Sequence, residues 1–125
     1  MNRDAFALTL PSRAEHLGTA RSFAAAVARH FAVVGEAVED LKVAISEACV
    51  DALTAGEPIL VRAEETGGTI SFSVDAPEPG EAPAPVALDG IGATGRIELI
   101  RSLFPDAAVV SEDGRRAIRF SLPLG

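Results

Sequence analysis

Residues 40–53 read DLKVAISEACVDAL. Leu41, Ile45, Cys49, Ala52 and Leu53 recur at the spacing of one helical face, so the stretch predicts the body of an amphipathic helix. That helix opens near Glu36, carries Val38 inward as well, and stops at Gly56 ahead of Pro58, a breaker pair that cannot continue it. Glu47 and Asp51, four residues apart, share a face. On residue type alone they read as part of a solvated face. Two carboxylates held together can also move a proton or bind a hard cation.

Working outward, Phe6, Leu8 and Leu10 alternate with Ala7 and Thr9, the period-two pattern of a half-buried strand that Pro11 ends. Ser12 with Glu15 three residues later predicts a capping box opening a first helix. Its inner face is Leu17, Ala20, Ala24, Val27 and Phe31, it tolerates Gly18, and Gly35 breaks it. Beyond Pro58, residues 59–63 and 69–74 alternate as strands around a turn of Glu65, Thr66, Gly67 and Gly68. The stretch 76–85, APEPGEAPAP, carries Pro77, Pro79, Pro83 and Pro85, which fix φ and predict an exposed, semi-rigid loop. A short helix follows from about Gly95, with Ile97, Leu99, Ile100, Leu103 and Phe104 ahead of Pro105. Residues 107–111 and 117–122 are two more strands, joined by Glu112, Asp113 and Gly114. The order βααββ, loop, αββ predicts an α+β two-layer sandwich: a mostly antiparallel sheet with helices on one face. At 125 residues the expectation is a single domain, 1–125.

A formal net charge of −7 argues against a nucleic-acid binder, whose affinity rests on Lys and Arg neutralising phosphates. No apolar run approaches the roughly 18 residues needed to span a bilayer, and residues 1–10 lack a signal-peptide core, so the expectation is a cytoplasmic protein with no membrane contact. Cys49 is the only cysteine and predicts core packing, not a disulfide or zinc site. His16 and His30 stand alone as surface or packing residues.

The segment DLKVAISEACVDAL resembles the N-box helix of the GHKL (Bergerat-type) ATPase superfamily, and in particular the anti-sigma-factor serine kinases of the RsbW and SpoIIAB type. TARSFAAAVA, residues 19–28, is similar to that family's partner-contacting helix, and GRIELIRSLFPDAAVV, residues 95–110, resembles its second glycine box and following strand. The resemblance implies that Glu47 stands where the family's general base draws a proton from a partner serine. It puts Asp51 where an asparagine holds the Mg²⁺ bridging the ATP phosphates. It puts Arg21 on the partner-contacting helix.

The departures fall in the nucleotide boxes. The family follows a strand with Asp-x-Gly-x-Gly, the Asp accepting from adenine; this chain reads SVDAPEPG, residues 73–80. If Asp75 is that aspartate, Pro77 and Pro79 replace both glycines; if strand parity is kept, Asp75 points away with Ser71 and Ser73, the adenine position falls at Ala76, and only Gly80 fits. In the second box Thr94 and Arg96 stand at the glycine positions, with Gly90, Gly92 and Gly95 nearby; Arg96 reads as a solvent-facing residue able in principle to pair with a phosphate. Ala55 replaces a histidine that family members often carry. The resemblance therefore implies a homodimeric regulator, docked through an exposed apolar side of the sheet, that binds a sigma factor or a STAS-type antagonist with no cofactor. The alternative is an active serine/threonine kinase using Mg·ATP, with Glu47 as base and Asp51 on the metal.

Overall fold

The computed structural model describes residues 4–53, 58–77 and 93–124. Among these residues five strands and three α-helices follow in chain order: β1 (Ala5–Leu10), α1 (Leu17–His30), α2 (Glu36–Asp51), β2 (Ile59–Thr66), β3 (Thr69–Pro77), α3 (Ala93–Leu103), β4 (Ala108–Glu112) and β5 (Arg115–Pro123). Every strand pairing is antiparallel, in the order β1-β2-β3-β5-β4. The α+β two-layer reading holds.

Alternation sorts each strand into two faces. Val61, Ile70, Phe72, Val74, Ile118, Phe120 and Leu122 point to the helix layer and are buried. Phe72 stacks on Phe120 with ring centres 5.6 Å apart, and Phe104, just beyond α3, meets Phe120 at 4.8 Å. Beneath α1 and α2 the packing uses small residues: Ala20, Ala24 and Ala28 face Ala44 and Ala48 in the same core. Short side chains let the two helix axes approach closely, which brings long surface side chains of one helix across the other.

Where turns are tight, local chemistry explains them. Gly67 and Gly68 have φ of +58° and +84°, a two-residue hairpin loop whose handedness matches strand twist. The β2–β3 turn is thus shorter than the four residues expected, and both strands run longer. Asp113 and Gly114, at φ of +53° and +75°, do the same between β4 and β5, so β5 begins at Arg115 and not at Ala117.

Four further expectations are corrected. α1 does not begin directly after the Ser12–Glu15 pair: residues 14–16 form a 3₁₀ turn, α1 starts at Leu17, and the Glu15 carboxylate accepts from the Arg13 guanidinium at 3.2 Å. α2 ends at Asp51, and the expected stop at Gly56 lies outside the described residues. Arg96 is not solvent-facing but 1% exposed, because it shares the inward stripe of α3 with Ile100. The open side of the sheet is not apolar: Arg62, Ser71, Ser73, Arg119 and Ser121 lie there at pairing positions opposite one another. Among the described residues no helix is long and apolar enough to cross a membrane.

Candidate functional site

Arg21 leaves the exposed side of α1 and crosses to α2, where its Nη1 donates to the Ser46 hydroxyl at 3.0 Å. The crossing borders a shallow, open hollow of about 260 Å³ lined by Arg21, Glu39, Lys42, Val43, Ser46 and Glu47. Val43 is 42% exposed there. The two residues that the family resemblance marks for partner contact and for proton removal therefore border one surface. Cys49 lies one turn of α2 beyond Ser46 and is fully buried; desolvation pushes its thiol up to about 12, while the nearby Arg21 charge pulls it part of the way back. It is a core residue, as its setting predicted. Oε2 of Glu47 and Nε of Arg96 are buried atoms without a hydrogen bond, although both residues are otherwise engaged.

Asp51 sits one turn past Glu47, at the last residue of α2. Its side chain is 5% exposed, which corrects the solvated-face reading. A carboxylate here meets two penalties, burial and the negative end of the helix dipole. Arg116 at the start of β5 offsets both: Nε donates to Oδ2 at 2.8 Å and Nη2 to Oδ1 at 3.2 Å.

Asp75 follows the parity reading. It pairs with Ala117 across β3 and β5, on the face away from the helices, while Ala76 is buried on the inner face. Arg115 Nη2 donates to Asp75 Oδ1 at 2.8 Å, and Arg62 approaches Oδ2 at 3.7 Å. The reading of Asp75 as an adenine acceptor is therefore corrected: its carboxylate is held on the wrong side of the sheet. Consecutive arginines, Arg115 and Arg116, point to opposite faces and each claims one aspartate. The sequence carried this signal in the Arg-Arg pair after the Asp-Gly turn, but a strand begun at Ala117 left both arginines unassigned.

Gly95 lies in the first turn of α3. Gly80, Gly90, Gly92, Pro79 and Ala55 fall outside the described residues. Among the described residues no three His, Cys, Asp or Glu side chains gather as metal ligands. Among the described residues the two carboxylates that the family resemblance assigns to Mg·ATP do not fit it: Asp51, assigned to the metal, already serves a guanidinium, and Asp75, in the adenine segment, faces away.

A family profile for the histidine kinase-like ATPase domain matches residues 10–122, so the chain belongs to that family. Among solved structures it is similar to the RsbU and RsbW domains of Rv1364c from Mycobacterium tuberculosis, with a TM-score of 0.73 over 97% of this chain at 19% identity. The chain spans 32% of that protein's length, and the likeness is one of fold. No curated protein matches the sequence.

Proposed function

We propose that this chain is an anti-sigma-type regulatory protein that binds a sigma factor, a STAS-type antagonist or both, without turning over ATP. The observation that carries the reading is the Arg21 hollow. A guanidinium fixed on a neutral hydroxyl keeps its charge available, and beside it lies the exposed aliphatic Val43. An arginine whose planar fork can take a carboxylate is a frequent protein-binding hot spot. The name of the similar structure, an RsbW domain, agrees with this class of partner. A homodimer belongs to the same proposal, now through a polar sheet face and not an apolar one.

The kinase reading keeps one supporting observation, Glu47 in the same hollow. Against it stand the orientation of Asp75 and the pairing of Asp51. The test is a pull-down from the source organism followed by binding and phosphate-transfer assays on two variants. Arg21→Ala should weaken the partner by about 2 kcal/mol, roughly thirtyfold, with little change in fold stability. Glu47→Gln should leave binding intact, since a base matters only when a proton moves. Phosphate transfer that disappears in Glu47→Gln would replace this reading with the kinase.

A further inference from the structure

Arg116 reaches Asp51 from 65 positions away in the chain, tying the start of β5 to the end of α2. Strand parity sets this up: Arg116 pairs with Ala76 and shares the inner face with Ile118 and Phe120. Both carboxylate oxygens of Asp51 are engaged by two donors of one planar guanidinium, the bidentate geometry in which Arg binds carboxylate most firmly. The last turn of α2 has no basic residue of its own, so within that helix nothing else neutralises Asp51.

We propose that Arg116 is a built-in cation occupying the carboxylate that would otherwise take a divalent metal, so that the α1–α2 surface is not gated by Mg²⁺ or nucleotide. This rests on the binding-protein reading above. A hard cation needs the Asp51 oxygens as its ligands and must also shed part of its water shell. To gain them it must displace a tethered guanidinium that is already in place, and leave that charge partly buried, since Arg116 is 32% exposed. The two occupants exclude each other. Loss of metal dependence is thus written in β5, far in sequence from the helix that carries the metal position.

The test uses Mn²⁺, a hard ion that takes the same oxygen ligands and reports binding through water-proton relaxation. It is titrated into the native protein, Arg116→Gln, and Arg116→Gln combined with Asp51→Asn. The native protein should show no specific Mn²⁺ site. Arg116→Gln should bind one Mn²⁺ at least about tenfold more tightly, because an uncompensated buried carboxylate is left for it, and Asp51→Asn should abolish the gain. If Arg116→Gln does not fold, Arg116→Lys gives up the bidentate fork while keeping the charge, and should gain Mn²⁺ affinity more modestly. Selective broadening of the amides of residues 49–53 by Mn²⁺ in the native protein would overturn the proposal. So would a folded Arg116→Gln with no gain, or a gain that survives Asp51→Asn. None of these arms measures partner binding, so their failure is distinguishable from failure of the regulatory reading.

Discussion

Cys49 gives the most direct handle on a single residue. Its thiol is pushed up from 9.0 to about 12 by burial, so the folded state favours the neutral form. The unfolded chain ionises first as pH rises. Stability linked to this group is therefore complete below about pH 9 and lost progressively as pH approaches 12, by an amount on the order of a few kcal/mol. The chain has no tyrosine, so no phenol titrates in this window, and Cys49→Ala isolates the thiol's share. Denaturant melts from pH 8 to 11 should fall steeply for the native protein and less so for Cys49→Ala. Equal slopes would mean the thiol is not desolvated as described. At this scale the sequence was partly legible. Cys49 could be read from its helical spacing and Glu47 from its motif, because both depend on local pattern. Asp51 could not, because the Arg116 that pairs with it arrives from β5, and Arg96 was set on the surface by its charge although it shares a helical stripe with Ile100.

Elements were read better than their ends. Type and order follow from periodicity, which side-chain burial enforces along each segment. Ends depend on single turn residues, and here Gly67 with Gly68 and Asp113 with Gly114 compress both turns to two residues and lengthen the strands beside them. The consequence for β5 was functional, since its first two residues are the arginines that hold Asp75 and Asp51. Gly67 is exposed, and no atom lies within 4 Å of where its Cβ would be, so only backbone conformation opposes a side chain there. Gly67→Val should cost about 1–2 kcal/mol, whereas Gly67→Asn, which tolerates φ > 0, should stay within about 0.5 kcal/mol. Urea unfolding of the two variants checks this. Equal losses would place the cost in packing instead.

Among the described residues a helix layer covers one face of the sheet, and the other face carries Arg62, Arg119 and the serines between them. Phe120, in contact with both Phe72 and Phe104, joins the sheet to the end of α3, and Phe120→Ala should cost about 3–5 kcal/mol in denaturant unfolding. A homodimer through the polar face should dissociate as salt rises, because its contacts would be screened ion pairs such as those of Arg62 and Arg119; light scattering at low and high ionic strength checks that. Nucleotide separates the regulatory reading from the kinase most widely. The deciding measurement is the melting midpoint with and without about 1 mM Mg·ATP. A site no tighter than the millimolar range shifts it by less than about 2 °C, the result expected here; a micromolar site would add about 4 kcal/mol and raise it by more than about 10 °C, which would contradict the regulatory reading and favour the kinase.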